Sequence, residues 1–291
     1  MIQRASFVGE LAQRFLSRGG RGTVTRVFRR SAYASAGPDF FLLLWGDGRS
    51  PMTINIIGEE NGAEGLRAGE ECELSPAGVR AGEVEVTVEG ARAYRSSLRR
   101  RGEVVLPRSG DLLKGAATLR SLYDASPHGP SLVSDPVFRS FAMSRLVSAA
   151  RGSRRLGFED FLGLVGRGGG FTPAGDDFTT GFMAVFNYIA RSRRSGQVLI
   201  PKKLAYSRTI PESAAVMVYS SKGHVDEGME RLILDSLGGR GFFDDLMTLA
   251  SRGHTSGIDM SMGVLLAEAV ETGKEDAGRA LKGCLGALGV G

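Results

Sequence analysis

The stretch GRGGGFTPAGDD, residues 166–177, is the densest glycine cluster of the sequence and runs into an apolar segment, residues 178–189. This pattern predicts a glycine-rich loop that leads onto the N-terminus of a helix. Glycine lets the backbone approach a ligand closely, and free N–H groups together with the helix dipole favour an anion there. The stretch matches neither a P-loop nor a GxGxxG motif after a strand. It therefore predicts an anion site outside the common nucleotide-binding motifs.

Two adjacent aspartates, Asp176 and Asp177, end this stretch and leave two interpretations open. One of them could cap the helix through its side chain. Alternatively, the two carboxylates could hold a divalent cation that in turn binds phosphate or carboxylate. The sequence does not decide between these interpretations, and it identifies no other cofactor.

A second segment, GHTSGIDMSMG at residues 253–263, has a similar organisation and also precedes an apolar run. Both segments contain Gly-x-Asp-x-x-x-Gly, in which the last glycine lies one helical turn beyond the aspartate and permits close packing. We expect two related loop-to-helix corners that face each other across one pocket, with chance similarity as the alternative. The matching residues are Gly175, Asp177 and Gly181 in the first segment and Gly257, Asp259 and Gly263 in the second.

His254 lies within the second segment, beside Thr255 and Ser256. It could act as a general base, a ligand or an anion contact, or it could be a structural donor beside a glycine turn. A nucleophilic hydroxyl is conceivable here, but adjacency in sequence is not the geometry of a triad. We expect His224 at the C-terminal end of a helix and His128 in a loop.

The hydropathy pattern changes near residue 110. Before it, alternating and apolar runs predict short strands at residues 22–30, 39–45, 52–57, 83–89 and 103–106, after a helix over residues 6–17. After it, the patterns predict helices at residues 111–124, 136–150, 157–165, 177–192, 226–237, 241–252, 259–272 and 275–288. Asp135, directly before Pro136, is the predicted N-cap of the second of these helices. We predict an α+β protein in which a β-rich, antiparallel N-terminal domain, residues 1–110, packs on a mainly helical domain, residues 111–291, that carries both glycine-rich segments.

The composition limits the class of protein. The 291 residues are 42% hydrophobic and 24% charged, which is typical of a globular chain, and the 42 glycines show no collagen period. Cys72 and Cys284 are too few and too far apart for a disulfide scaffold or a cysteine-based zinc site, so a reducing cytoplasm is expected. Charged residues interrupt every apolar run of the first 30 residues, and no stretch is long enough to span a membrane.

The charge balance points away from nucleic acid as a partner. There are 37 basic against 32 acidic residues, and the run Arg99, Arg100, Arg101 has no interleaved aromatic residues of the kind that stack on bases. Nucleic acid stays a minor option, no membrane partner is expected, and the expected ligand is a small anionic metabolite at the glycine-rich loop.

The two glycine-rich segments carry a family resemblance. GRGGGFTPAGDDFTTGF, residues 166–182, resembles the first signature of the AllH-like family, and GHTSGIDMSMGVLLA, residues 253–267, resembles its second. The segment between residues 208 and 223 is a weaker match, and residues 22–28 are similar in style. Gly169 stands where the family frequently has proline, and Ala174 where it frequently has serine, so a role for that serine hydroxyl is in doubt here.

The resemblance implies a β-rich N-terminal part and a helical C-terminal part. It also implies a subunit of a carbamoyltransferase, which exchanges a carbamoyl group between oxalurate with phosphate and oxamate with carbamoyl phosphate. Other subunits, or further copies of this chain, are then expected partners. Two alternatives stay open: a non-catalytic ligand-binding or assembly subunit, and a metal-dependent hydrolase of a small anionic substrate.

On this interpretation the candidate residues come from the two segments. The candidate catalytic residues are Asp176, Asp177, His254 and Asp259, and the first two are also the candidate metal ligands. The candidate substrate-binding residues offer backbone N–H groups or hydroxyls: Gly168, Gly169, Gly170, Thr172, Gly175, Thr255, Ser256 and Gly257.

Overall fold

The computed structural model describes residues 2–37, 39–58, 62–126, 132–272 and 274–290. The chain forms two compact units, residues 1–96 and 97–291. The first consists mainly of strands and the second of helices, so the predicted α+β class is confirmed. The division into domains at residue 110 stays a prediction.

The first unit combines one helix with nine strands. The helix, α1, spans Glu10–Arg18. The strands are β1 (Ile2–Gly9), β2 (Gly20–Phe28), β3 (Ser31–Ala36), β4 (Asp39–Trp45), β5 (Thr53–Ile56), β6 (Glu71–Ser75), β7 (Gly78–Ala81), β8 (Val84–Thr87) and β9 (Arg92–Tyr94).

Eight of these strands close into a ring in the order β1-β5-β4-β3-β2-β6-β7-β8, because β1 pairs with both β8 and β5. Strand β9 adds to β1 outside this order. The β1–β8, β1–β9 and β4–β5 pairs are parallel, and the other described pairs are antiparallel as expected. Helix α1 contacts β1, β4 and β6, which are spaced around the ring, and buries Leu11, Phe15 and Leu16.

The helix predicted over residues 6–17 is wrong at its start. Strand β1 continues to Gly9, because Phe7 pairs with Asn55 and Val8 pairs with Ile54 where the ring closes. A Cβ atom on Gly9 would lie 2.2 Å from the carbonyl oxygen of Ser50, so glycine permits the chain to pass there before it turns into α1.

The second unit is built of helices. They are α2 (Ser109–Ala125), α3 (Pro136–Phe141), α4 (Val147–Ala150), α5 (Ala174–Ser192), α6 (Lys202–Tyr206), α7 (Pro211–Ser220), α8 (Glu227–Ser236), α9 (Phe243–Ala250), α10 (Ser256–Glu271) and α11 (Lys274–Ala287). A π-helical segment, Ala142–Leu146, joins α3 to α4.

Two predicted elements of this part are absent from the described structure. Residues 103–106 form no strand, because Val105 makes only one isolated bridge, to Gly238. Residues 157–165 form a 3₁₀ turn, Phe158–Phe161, followed by further turns rather than an α-helix. In contrast, Asp135 caps α3 as predicted, since its carboxylate accepts a hydrogen bond of 2.7 Å from the Val137 N–H.

Helices α5 and α10 form the centre of the second unit and pack against each other. Both are buried on nearly all sides, as expected for helices that are apolar around their circumference. Helix α7 packs on α5, and α2, α9 and α11 pack on α10. Aromatic rings from α3, the 3₁₀ turn and α5 fill the space beside the start of α5: Phe138, Phe141, Phe161, Phe178 and Phe182. No helix in the described ranges combines the length and apolar character needed to cross a membrane.

Candidate functional site

The two glycine-rich segments begin the two central helices in the same way. In α5 the second, fourth and eighth residues are Gly175, Asp177 and Gly181. In α10 the corresponding residues are Gly257, Asp259 and Gly263. The shared sequence pattern is therefore also a shared position within the first two turns of each helix.

The later glycine of each pattern lies against the backbone of the other helix. A Cβ atom on Gly181 would lie 2.1 Å from the carbonyl oxygen of Met260, and one on Gly263 would lie 2.2 Å from that of Phe178. Each contacted residue stands three positions before the glycine of its own helix. The contact is therefore reciprocal, and the first turns of the two helices lie side by side.

The earlier glycine of each pattern lies against the turn that precedes its helix. A Cβ atom on Gly175 would lie 2.0 Å from the Leu164 carbonyl oxygen, and one on Gly257 would lie 2.0 Å from that of Leu249. The N–H of each glycine donates to the carbonyl of the arginine that follows this leucine by three residues: Arg167 at 2.9 Å in the first entry and Arg252 at 3.2 Å in the second.

The side chains of these arginines also have equivalent partners. Arg167 forms an ion pair of 3.1 Å with Asp135, which caps α3. Arg252 forms an ion pair with Asp226, which caps α8 by accepting from the Gly228 N–H. The two helix entries are thus built on the same plan over more residues than the short motif includes.

Asp176 and Asp177 hold opposite ends of the glycine-rich loop. Asp176 accepts a hydrogen bond of 2.7 Å from the Gly166 N–H and another from the Thr209 hydroxyl. Asp177 accepts one of 2.8 Å from the Thr172 hydroxyl. The two carboxylates therefore fix the start and the end of the loop and do not share a partner.

This arrangement decides between the interpretations of the aspartate pair only in part. Neither aspartate is the N-cap, because α5 begins at Ala174 after Pro173, so the capping interpretation is wrong. No cluster of three or more histidine, cysteine or acidic side chains suited to a metal ion was found within the ranges that the structure describes. A cation held by these two aspartates stays an untested expectation.

Burial changes the acidity of both carboxyl groups. It raises the pKa of Asp177 to about 7, while the hydrogen bonds from Thr172 and Ser256 oppose the shift. It also raises the pKa of Asp176, against the hydrogen bonds from Thr209 and Gly166. An aspartate whose pKa lies near neutrality can both hold and release a proton under ordinary conditions.

The backbone donors at the start of α5 are mostly occupied. The N–H of Gly175 donates to Arg167, and those of Asp176 and Asp177 both donate to the Pro173 carbonyl. The expectation that an anion binds to free N–H groups of this first turn is therefore corrected. The available donors lie in the loop before it.

Gly168, Gly169 and Gly170 supply those donors. All three are exposed, and their N–H groups make no hydrogen bond to another described residue. Gly168 has φ +100° and Gly170 has φ +99°, a backbone region that glycine adopts without strain. The loop thus presents unpaired backbone donors while its two ends are held by carboxylates.

The two helix entries meet through a pair of hydroxyls. Thr172 Oγ1, at the end of the loop, lies 2.8 Å from Ser256 Oγ, the first residue of α10, and either group can donate. Thr172 and Ser256 are half-buried, while Asp177 behind them is only 3% exposed. This contact joins residues of both predicted segments in one place.

Asp259 lies deeper in the same region. It is fully buried, and its Oδ1 accepts a hydrogen bond of 2.5 Å from the Tyr123 hydroxyl. Burial raises the pKa of Asp259 well above its ordinary value, and the charge of Asp177 acts in the same direction. Asp259 and Asp177, at equivalent positions in their helices, are therefore close enough to influence each other.

The two histidines that the structure describes differ in burial and in position. His254 is exposed in the turn before α10, directly beside Thr255 and Ser256, and its assignment to the site stays a prediction. His224 is buried just after α7, where its ring lies edge-on to Tyr219 at 5.9 Å, as expected for a residue at a helix end. His128 lies outside the described residues.

Two residues of this site were not among the candidates. Tyr123 lies on α2 and carries no local motif, so nothing in its sequence surroundings points to Asp259. Thr209 lies in the weaker of the family-like segments and contacts Asp176. That segment was the signal that could have identified it.

Comparison with models of protein families gives a match. Comparison with curated proteins and with solved structures finds no significant match. The matched segment begins at Leu164, whose carbonyl contacts Gly175, and it includes both helix entries, whereas Tyr123 lies outside it. The predicted resemblance is confirmed over this segment: residues 164–268 match the family model described as oxamate carbamoyltransferase subunit AllH.

Proposed function

We propose that this chain is a subunit of a carbamoyltransferase-like enzyme that acts on a small carboxylate. In this reaction oxalurate and phosphate give oxamate and carbamoyl phosphate, and the reverse transfer uses the same site. The family match over residues 164–268 supports a subunit of this kind. The proposal keeps the expectation of a cytoplasmic protein that works together with other subunits.

The ligand would bind where the two helix entries meet. The contact of 2.8 Å between Thr172 and Ser256 is the observation that carries this assignment, because it brings the end of the glycine loop to the first residue of α10. Carboxylate and phosphate oxygens accept hydrogen bonds from backbone N–H groups and hydroxyls. The donors assigned to the ligand are Gly168, Gly169, Gly170, Thr172, Thr255 and Ser256. Gly175 and Gly257 are left out, because their N–H groups already donate to backbone carbonyls.

The acidic residues have a different task in this proposal. Asp176 and Asp177 hold the loop in shape through the Gly166 N–H and the Thr172 hydroxyl. Carbamoyl transfer needs positioned donors that stabilise the charge developing on the carbonyl oxygen. His254, which is exposed in the turn before α10, is assigned in this proposal to the solvent side of the ligand.

The experiment is an assay of phosphate-dependent oxalurate breakdown by the isolated chain and by its complex with companion subunits. We expect turnover by the complex, and a loss of at least about 100-fold with Thr172→Val, since positioned donors contribute this much. Thr248→Val is the matched control, because the Thr248 hydroxyl is exposed and only bonds to its own helix.

The outcomes separate this proposal from the other possibilities. Calorimetry with phosphate, carbamoyl phosphate and oxamate is run on the same samples. Binding without turnover by the complete complex would indicate a ligand-binding subunit, and intact assembly without binding would indicate a purely structural one. Turnover that chelators abolish and added metal restores would point to a metal-dependent reaction instead.

A further inference from the structure

The connection between α6 and α7 is fastened to the start of the glycine-rich loop. A Cβ atom on Gly166 would lie 2.4 Å from the carbonyl oxygen of Arg208, so a glycine is needed for the two backbones to approach this closely. The next residue, Thr209, donates a hydrogen bond from its hydroxyl to Asp176, the carboxylate that also holds the Gly166 N–H. The backbone of Arg208 is therefore fixed beside the first glycine of the loop.

The side chain of Arg208 carries a positive charge that the described part of the fold does not compensate. It is exposed, and it forms no hydrogen bond or ion pair with any residue of the described ranges. Arg167, which follows Gly166 in the sequence, differs in this respect. Its guanidinium pairs with Asp135 at 3.1 Å and donates to the Gly163 carbonyl at 3.2 Å. Of these two arginines beside the loop, Arg208 is thus the one with an unused charge.

The anionic ligand proposed for this site would be stabilised by such a charge. The donors assigned to it are backbone N–H groups and hydroxyls, which are neutral. Asp176, Asp177 and Asp259 lie close to these donors or to one another. A carboxyl group is either neutral or negative, and an ionised one repels an anion. A phosphate or carboxylate therefore binds here more favourably if a neighbouring element supplies a cation.

The length of an arginine side chain suits the distance to the loop donors. Gly168 is two residues beyond Gly166, so the Cα atoms of these two glycines are at most about 7.6 Å apart. An extended arginine side chain covers a comparable distance. It ends in a planar guanidinium whose five donors match the oxygens of phosphate or carboxylate in pairs. A ligand held by the N–H groups of the loop is therefore within reach of Arg208.

We infer that Arg208 binds the anionic oxygens of the ligand at the glycine-rich loop and supplies positive charge to the site. This inference rests on the proposed function and adds a ligand-binding residue to it. Arg208 lies outside both glycine-rich segments, in the weaker of the family-like segments. Phosphate and carboxylate share the chemistry that a guanidinium recognises, which is a pair of negatively charged oxygens.

The test is calorimetry with inorganic phosphate and, separately, with oxamate on the complex with its companion subunits. Arg208→Gln removes the charge, while Arg208→Lys keeps it but loses the paired donors. We expect Arg208→Gln to weaken the binding of at least one of the two anions by at least about tenfold, which is the effect of losing one charged hydrogen bond. Arg208→Lys should weaken the same binding by only about threefold, because its charge remains.

Arg101→Gln is the matched control. Like Arg208, Arg101 is exposed and forms no ion pair with a described residue, so the substitution removes the same charge. Its neighbour Gly102 donates to Ser192, the last residue of α5, at 3.4 Å. That end of the helix is about 27 Å from its start, far beyond the screening length of about 8 Å at physiological salt. The control should bind both anions as the wild type does.

Three further readouts separate ion pairing from a structural role. Added NaCl should weaken anion binding less steeply in Arg208→Gln than in the wild type, because the charge that salt would screen is gone. The thermal unfolding midpoint should not change, since the exposed side chain has no described partner to lose. In turnover, KM for the affected substrate should rise by at least about tenfold while kcat stays within about threefold, because the contact is already made in the bound ground state.

The outcomes distinguish this inference from the proposed function. Wild-type binding without turnover contradicts the proposed function, and calorimetry on the Arg208 variants then still tests the inference. A loss confined to phosphate or to oxamate assigns Arg208 to that group. Wild-type affinity and salt dependence in Arg208→Gln overturn the inference alone, as does an equal loss in Arg101→Gln. A wild-type complex that binds neither anion overturns both.

Discussion

Tyr123 Oη lies 2.5 Å from Asp259 Oδ1, and this hydrogen bond joins α2 to the first turn of α10. Both side chains are buried, and the other carboxylate oxygen, Oδ2, has no hydrogen-bond partner of ordinary geometry among the described residues. The Tyr123 hydroxyl is therefore the principal group that compensates for burial of this acid.

Tyr123→Phe should destabilise the protein by about 1–3 kcal/mol, because it leaves a second buried oxygen of Asp259 without a partner. Urea unfolding at constant pH measures the change. Tyr188→Phe is the matched control, since Tyr188 is equally buried but donates no hydrogen bond to another described residue. Equal losses of unfolding free energy in the two variants would show that the hydrogen bond to Asp259 does not stabilise the protein.

Gly181→Ala and Gly263→Ala should each destabilise the protein by about 1–3 kcal/mol, because the added methyl group collides with the facing helix backbone. The closest backbone atoms lie 2.1 and 2.2 Å from the Cβ positions. The double variant should lose less than the sum, since one separation of α5 and α10 relieves both collisions.

The control for these substitutions is Gly286→Ala. Gly286 is exposed in α11, and a Cβ atom there would meet nothing within 4 Å. This variant should gain about 0.5–1 kcal/mol, because alanine favours the helix more than glycine does. Thermal and urea unfolding of all four proteins tests the contrast, and neutral effects at Gly181 and Gly263 would contradict the packing described here.

Gly168→Ala should weaken phosphate binding by at least about tenfold, because the left-handed backbone at this position costs a non-glycine residue of the order of 1–3 kcal/mol. Its φ is +100°, and the new methyl group would lie 2.8 Å from the Ala174 Cβ atom. Gly196→Ala is the control, since that glycine lies outside the site and has open space around it. Calorimetry on the complex measures the difference. Equal phosphate affinities of Gly168→Ala and the wild type would show that the loop does not contact the ligand.

The buried Glu268 should make the stability of the protein depend on pH, independently of the candidate site. It is fully buried in α10, and burial raises its pKa from 4.5 to about 8, against a smaller opposing effect of Ser236. Below pH 4.5 the acid is protonated in both the folded and the unfolded chain. As the pH rises from there through about 8, only the unfolded chain releases the proton, and stability falls by about 1.4 kcal/mol per pH unit from this group.

Glu268→Gln should therefore reduce the decline between pH 5 and 8 by about 1.4 kcal/mol per pH unit, because the amide does not titrate. The decline that remains comes from the other buried acids whose pKa is raised, such as Asp177. Denaturant unfolding at several pH values measures the slope. Glu103→Gln, at an exposed position, should leave the slope as it is in the wild type. A wild-type slope retained in Glu268→Gln would show that another group is responsible.

The sequence was sufficient to predict the parts of the molecule that depend on local order. The equivalent positions of two glycines and an aspartate at the start of α5 and α10 were predicted from a pattern of seven residues. The cap at Asp135 was likewise predicted from neighbouring residues. The helix predicted over residues 6–17 was based on the helical spacing of Phe7, Leu11 and Phe15, which is also local, and this prediction was wrong at its start. Phe7 belongs to a strand because it pairs with residues far along the chain, which no local period reveals.

Local sequence patterns were equally insufficient to predict the long-range contacts of the site. The glycine loop and its aspartates were identified from their composition, whereas Tyr123 contacts Asp259 across 136 positions of sequence. Nor does the sequence show that Asp176 and Asp177, although adjacent, hold different ends of the loop. Adjacent residues in a helix point about 100° apart, so neighbours in sequence commonly have separate partners in space.

The double anchorage by Asp176 and Asp177 has a consequence for how such a site can change over evolution. Two consecutive residues of one helical turn fasten Gly166 and Thr172, so the segment between them closes on the helix as a self-contained ring. Insertions or deletions within that ring leave both fastening points, and the helix pair beneath them, where they are. Related chains could thus acquire new ligands by altering the length of one loop while inheriting an unaltered scaffold.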